Sequence, residues 1–208
     1  MDQSVSAAKL KKDLRRSIRT LILALGRQER ADQEAALARL FDRLPGYAEA
    51  TTVLLYAKAF TEELETRPFL NHALETGKRI VLPKVDRKRQ LMRLFQVRDP
   101  RLDLEPGTLE IPEPRPHCLL IEPEEIDWAL VPGLAFDFHC HRLGRGAGHY
   151  DRLLPRLRPD ASRWALGFDC QVLGQLPAEP HDVPMDGVVT PRHWIRQRDP
   201  DLPEFISS

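Results

Sequence analysis

The stretch His141–Leu157, HRLGRGAGHYDRLLPRL, concentrates residue types suited to handling an anion. Gly144, Gly146 and Gly148 alternate with Arg145 and Ala147, Arg142 precedes them, and His149, Tyr150 and Asp151 follow at once. Glycines let the backbone turn its N–H groups inward and let a ligand approach with no Cβ in the way. A helix opening just beyond adds partial positive charge. The two arginines bring full charges on fork-shaped donors. A carboxylate at Asp151 is placed to hold Mg²⁺ against the same phosphates. The spacing matches neither the dinucleotide fingerprint nor the Walker A pattern. The residues alone therefore leave two readings open: a phosphate cradle, or a glycine-rich turn in which Asp151 stabilises the first helical turn.

Three other groups could do chemistry. Lys11 and Arg15 are four apart and share a helix face, as do Lys12 with Arg16 and Arg15 with Arg19. Like charges at that spacing repel, and a polyanion would relieve them; a solvated basic face is the alternative. Acids cluster at Glu62, Glu63 and Glu65, where one could position a ligand amine or amide or simply favour a helix N-terminus. Asp137–His141, DFHCH, with His149 nearby, invites a metal reading. Adjacent ligands on an extended segment rarely close a tetrahedral set, however, and no second cluster supplies partners.

These residues need elements to hold them. Leu10, Leu14, Ile18, Leu21 and Leu25 recur at helical spacing and predict one apolar stripe, with Gly26 as a stop. A second helix is expected over Gln28–Leu44, closed by Pro45-Gly46. Thr51–Ala57 (TTVLLYA) reads as a buried parallel strand, ETRPFLNHALETG as a helix ending at Gly77, and KRIVLPKV as the next strand. That is β-α-β at the size of a crossover unit. Gln90–Val97 reads as a strand, Asp99–Glu125 as a long structured loop, and Asp127–Asp137 as a central strand running into a turn. A helix carries Tyr150, Leu153, Leu154 and Leu157 on one side, shortened by Pro155. A strand at RWALGFD, a short helix at Gln171–Leu176 and a strand at Asp186–Thr190 follow, and from Pro191 the chain turns polar. Alternating strands and helices predict one α/β domain with a mostly parallel sheet.

Composition bounds the possibilities. The chain has 208 residues, 42% hydrophobic and 30% charged, enough for one good-sized core. Lys+Arg and Asp+Glu both number 31, a balance that disfavours coating nucleic acid or an anionic membrane. Three scattered cysteines, Cys118, Cys140 and Cys170, lack the spacing of a disulfide framework and fit a reducing interior. The most apolar early run, Leu21–Leu25, is too short to span a bilayer, and the basic helix before it lacks a signal-peptide layout. The expectation is a cytoplasmic monomer with no membrane or nucleic-acid partner.

In order along the chain, KKDLRRSIR, ELET, GKRIVLPKV, EIPEP, VPGLAFDFHCHRLGRGAGHYDRLL and GFDCQVLGQLPAEPHDVPMDGVVTP resemble blocks of the 5-formyltetrahydrofolate cyclo-ligase (5,10-methenyltetrahydrofolate synthetase) family, over roughly residues 9–195. The resemblance implies an open three-layer α/β/α sandwich, with residues 1–195 as the domain and 196–208 as a polar tail. It implies a reaction in which 5-formyltetrahydrofolate and ATP give 5,10-methenyltetrahydrofolate, ADP and phosphate with Mg²⁺. By position, Lys11 and Arg15 would contact ATP phosphates. Arg142, Gly144, Arg145, Gly146, Ala147, Gly148, His149 and Tyr150 would wrap the triphosphate, with Arg145 nearest the transferred group. Asp151 and Asp182 would bind Mg²⁺. Glu63, assigned over Glu62 by the ELET register, would face the folate, joined by Lys58, Arg145, His149 and Tyr150. The pattern departs at Ala147, where the family carries Gly or Lys, and at His149, where it carries Tyr. The alternatives are a non-catalytic nucleotide- or RNA-binding α/β module, and an ATP-independent enzyme of the sugar-phosphate isomerase or CoA-transferase kind.

Overall fold

The computed structural model describes residues 7–86, 89, 91–107, 111–179 and 182–197. Gln90, Glu110 of the EIPEP segment and residues 198–208 of the expected tail lie outside them. Two helices open the chain, α1 (Ala7–Ala24) and α2 (Arg27–Leu40), parted by Gly26. After a 3₁₀ turn at Phe41–Arg43 come β1 (Thr52–Leu54), α3 (Arg67–Glu75), β2 (Arg79–Asp86) and β3 (Leu91–Val97). The expected loop is indeed structured: α4 (Pro100–Asp103), a hairpin of β4 (Leu104–Pro106) and β5 (Pro112–Pro114), and β6 (Leu120–Ile121). Then follow β7 (Trp128–Leu130), β8 (Ala135–Asp137), β9 (Arg142–Leu143), α5 (His149–Leu153), β10 (Ser162–Leu166), β11 (Val172–Leu173), β12 (Gly187–Val189) and β13 (Trp194–Arg196).

The main sheet runs β13-β12-β10-β7-β1-β2-β3-β6. Its centre, β12 through β2, is parallel, and β13, β3 and β6 are antiparallel additions at the edges. Buried on both faces, the central strands read as continuous apolar runs, and successive residues enter opposite layers. Val53, Ile80, Trp128 and Trp164 pack on the face covered by α1, α2 and α3, against Ile18, Ile22, Leu37, Phe41 and Phe69. Leu54, Val81, Ala129 and Ala165 pack on the other face, against Leu153, Leu154, Leu157 and Phe136. The result is the expected single three-layer α/β/α domain. The first layer is anchored by an aromatic knot: Phe41 lies 4.5 Å from Tyr47 and 4.7 Å from Phe69, and Tyr47 lies 5.2 Å from Trp128. Truncating a ring such as Phe41 to Ala is expected to cost about 3–5 kcal/mol.

The structure corrects four expectations. On α1 the buried residues are Lys11, Ile18 and Ile22, while Leu10 and Leu21 are 44% and 51% exposed. Ile18 and Ile22, seven and eleven residues beyond Lys11, share its face and pack in the core, and Lys11 pairs with Glu179 and Asp182 at the cavity end of that face. Asp127–Asp137 is not one strand: β7 leaves the main sheet at Pro132-Gly133, where proline cannot donate to a ladder, and β8 joins a second sheet, β11-β8-β9. Gln171–Leu176 is no helix. Gln171 instead spends its buried amide on Phe168 N (2.7 Å), Gly133 O (2.9 Å) and Leu134 O (3.1 Å), and β-branched Val172 continues into β11. The polar segment after Pro191 contributes an edge strand, β13, whose Trp194 packs 6.1 Å from Trp164.

Candidate active site

A cavity of about 820 Å³ opens beyond the carboxyl ends of β1 and β7, beside the second half of β2. Open α/β sheets place their ligand sites at such an edge. Residues 56, 57, 59, 60, 62 and 63 after β1 form one wall, the glycine loop after β9 the opposite wall, and Lys11 and Arg15 of α1 one end, beside Glu179 and Asp182. Tyr56, Leu82, Met92, Ile111 and Pro112 line an apolar part. Every site residue expected from the sequence lines this cavity except Lys58. Lys58 lines an adjoining shallow hollow with Leu23 and Arg30, which shares Ala59 and Phe60 with the cavity.

The loop's backbone needs its glycines at two positions. Gly146 has φ +100° and Gly148, which caps α5, has φ +65°, conformations that cost other residues strain. A Cβ at Gly146 would also stand 3.3 Å from Arg15 Cζ. Arg15 pins the loop to α1 by donating from Nε to Gly144 O at 2.8 Å. Ala147 does not share the positive φ of its neighbours, so an alanine is tolerated there. His149 accepts at Nδ1 from Arg152 Nη2 (3.1 Å), which also donates to Ala147 O (3.1 Å). Burial and the Arg152 charge lower the imidazole pKa and favour its neutral form.

The charged groups are paired across the cavity. Lys11 Nζ sits 2.6 Å from Glu179 Oε2 and 2.7 Å from Asp182 Oδ2. Burial pulls its pKa down, but the hydrogen bonds to Asp182 and Glu179 outweigh it and the net shift is upward. Arg142, with its side chain 4% exposed, reaches Asp151 Oδ1 at 2.5 Å, and its Cζ lies 5.6 Å from the Tyr150 ring centre. Among the described residues, Arg142 Nε and the Tyr150 hydroxyl are buried without hydrogen-bond partners. Burial first, then the Glu63 charge, pushes the Tyr150 phenol pKa well up.

Arg145 bridges the two walls. Its Nε donates to Glu63 Oε1 (3.2 Å), its Nη2 lies 3.0 Å from Glu62 Oε1, and its Cζ sits 3.5 Å from the Phe60 ring centre. Glu63 Oε2 accepts from Ala59 N (2.8 Å) and Phe60 N (3.3 Å). The sequence reading missed Phe60, Tyr56, Glu179 and the engagement of Glu62. An aromatic followed by two acids at a strand's carboxyl end was the available signal for the first and last of these.

DFHCH is a folded turn, not a metal cage. Asp137 is fully buried and accepts from His139 N (2.9 Å), His141 N (2.9 Å) and Leu176 N (2.9 Å), while His141 Nδ1 lies 3.0 Å away. Burial opposes ionisation, but these donors prevail and hold the carboxyl pKa below its ordinary value. Among the described residues, Asp103, His117 and Cys118 form a group of three possible metal ligands. There His117 Nε2 is 2.9 Å from Asp103 Oδ1, and Asp103 Oδ2 already accepts from Arg98 N and Asp99 N.

Fold and cavity define an open α/β protein with a ligand site lined by paired charges at the carboxyl edge of its parallel strands. The chain belongs to the 5-formyltetrahydrofolate cyclo-ligase family, whose model matches residues 7–191. It is 32% identical over 167 residues to the Escherichia coli K12 5-formyltetrahydrofolate cyclo-ligase, covering 79% of this chain and 90% of that one. It is 30% identical to the mitochondrial cyclo-ligase of Arabidopsis thaliana, covering 89% and 76%. The structure of 5,10-methenyltetrahydrofolate synthetase from Aquifex aeolicus superposes with a TM-score of 0.81 at 31% identity, covering 94% and 96%. Among the described residues no helix is long and apolar enough to cross a membrane.

Proposed function

We propose that the protein is a 5-formyltetrahydrofolate cyclo-ligase, converting 5-formyltetrahydrofolate and ATP into 5,10-methenyltetrahydrofolate, ADP and phosphate with Mg²⁺. The observation that carries this reading is Arg145, which spans a single cavity from the glycine loop to the Glu62–Glu63 wall. A formamide is a poor electrophile because its nitrogen lone pair is delocalised. The formyl oxygen attacks the γ-phosphorus, and the bond to ADP breaks. The folate N10 lone pair then attacks the activated carbon, the carbon–oxygen bond breaks, and phosphate leaves. The enzyme's share is positioning and charge compensation.

The residues fit both partners of the folate. The loop offers three positions without a Cβ, and Arg15 and Arg145 flank it with cations. Lys11 lies at the same end, and releasing it from Glu179 and Asp182 would free a further charge. Asp151 and Asp182 each offer carboxylate oxygens to Mg²⁺, directly or through water, once they loosen from Arg142 and Lys11. When bound, Mg²⁺ neutralises charge on phosphate oxygens. Glu63, fixed by two backbone amides, is the carboxylate placed to take the N10 proton. The apolar wall of Tyr56, Leu82 and Met92 suits a flat pterin. Three free thiols among the described residues support a reducing compartment, in keeping with a cytoplasmic enzyme. We take it to act as a monomer, a point that light scattering in solution checks.

The test is absorbance of the methenyl product from purified protein with Mg-ATP and 5-formyltetrahydrofolate. Product is expected only when ATP is present. Turnover of a sugar phosphate or a CoA ester without ATP, or no product from folded protein, overturns the reading.

A further inference from the structure

Glu62 and Arg19 have no part in the mechanism above, yet Glu62 holds its central residue and Arg19 holds Glu62. Glu62 is 2% exposed, and its Oε1 lies 2.7 Å from Arg19 Nε of α1 and 3.0 Å from Arg145 Nη2 of the glycine loop. Both guanidinium groups thus converge on one buried carboxylate oxygen as ion pairs. Burying a carboxylate is costly unless it is paired, and one cation would suffice for that. Here there are two, on different elements. Burial opposes ionisation of Glu62, but backbone hydrogen bonding and then Arg145 and Arg19 lower its pKa, so it stays an anion.

The second cation has a use if Arg145 must move. Glu62, Glu63 and the Phe60 ring restrain Arg145 from three directions. A polyanion in the cavity competes for its guanidinium. If Arg145 were the sole partner of Glu62, turning toward a phosphoryl group would strand a buried charge. Arg19 removes that penalty, because it stays on Glu62 while Arg145 shifts.

We propose that Glu62 is a positioning residue that keeps hold of Arg145 as it turns from Glu63 to the transferred group, and that Arg19 is the second counter-charge that keeps the buried Glu62 fully paired while that contact loosens. This rests on the cyclo-ligase reading. In that setting E62Q lowers kcat about 10- to 100-fold, the scale of a misplaced catalytic group, with KM for both substrates within about 3-fold. E62D recovers part of the loss. In an R145K background, which keeps a cation and a residual rate, E62Q costs at most about 2-fold more, because residues acting as a unit are not additive.

A readout independent of turnover is the Arg145 Nε–H resonance, assigned by its disappearance in R145K. E62Q is expected to shift or broaden it while distant backbone signals stay in place. Full kcat in E62Q, the same fold-loss in both backgrounds, or an unmoved Arg145 resonance overturns the proposal. Should the wild-type chain itself make no methenyl product, the cyclo-ligase reading fails, and the resonance still decides whether Glu62 holds Arg145.

Discussion

The turn at 137–141 and the loop at 144–148 are separated by β9 alone, and both gather polar groups on irregular backbone. Their fates differ. Asp137, at the heart of the first, is fully buried and meets donors from its own turn and from Leu176. The second faces a cavity of about 820 Å³, and its Arg145 is shared among two carboxylates and a ring. A polar cluster whose partners are all internal and fixed holds the fold together. One whose partners are contested, at a cavity wall, is available for chemistry. Side-chain type does not separate the two, since the first carries more histidine and the second more glycine, and either could have been the site.

The largest effect should come from the loop. R145A is expected to lower turnover by about 10³-fold or more, the scale of removing an arginine that compensates phosphoryl charge. Its melting temperature should stay within about 3 °C of wild type, because Glu62 retains Arg19. A large loss of stability would make Arg145 structural and erase the contrast with Asp137.

The converse is expected in the turn. D137N should cost about 2–3 kcal/mol in urea unfolding, since a buried carboxylate with several donors is replaced by an amide that cannot accept them all. Turnover per folded molecule should be kept. This cost depends on pH. The folded Asp137 pKa lies below the ordinary 3.8, so its contribution is present above that value and is lost as pH falls toward the folded pKa. The stability gap between wild type and D137N should therefore narrow below about pH 4. A gap that widens in acid would contradict the assignment.

G146A tests the loop's backbone. With φ +100° and Arg15 Cζ 3.3 Å from the new Cβ, it should cost about 1 kcal/mol of stability and raise KM for ATP about 10-fold. The smallest effect is expected from K58A, within about 2-fold of wild-type kcat/KM by the same absorbance assay, because Lys58 lies outside the cavity.

Much of the fold was legible because parallel strands buried on both faces carry apolar runs at their centres, as at residues 53–54 and 80–82, and because Pro68, Gly77 and Pro155 mark helix ends locally. The errors came from distant partners. Leu21 completes a helical stripe on paper, but the face turned inward is that of Ile18 and Ile22, with Lys11 on Glu179 and Asp182, more than 160 residues on. Val172 reads as helical until β8 offers it a ladder. In the site, the loop and its acids were legible from type and spacing together with the family resemblance. The Glu62–Arg19–Arg145 network was not, since it joins residues from three separate elements. Lys58, expected at the folate, lines the adjoining hollow instead, a distinction one residue's step along the chain does not announce.

The most direct test of the central claim is a crystal structure with Mg²⁺ and a non-hydrolysable ATP analogue. The account predicts the triphosphate between α1 and residues 144–148, with Arg145 turned from Glu63 toward the terminal phosphate and Glu62 still on Arg19. A nucleotide bound elsewhere, with Arg145 unmoved and residues 144–148 empty, would contradict it.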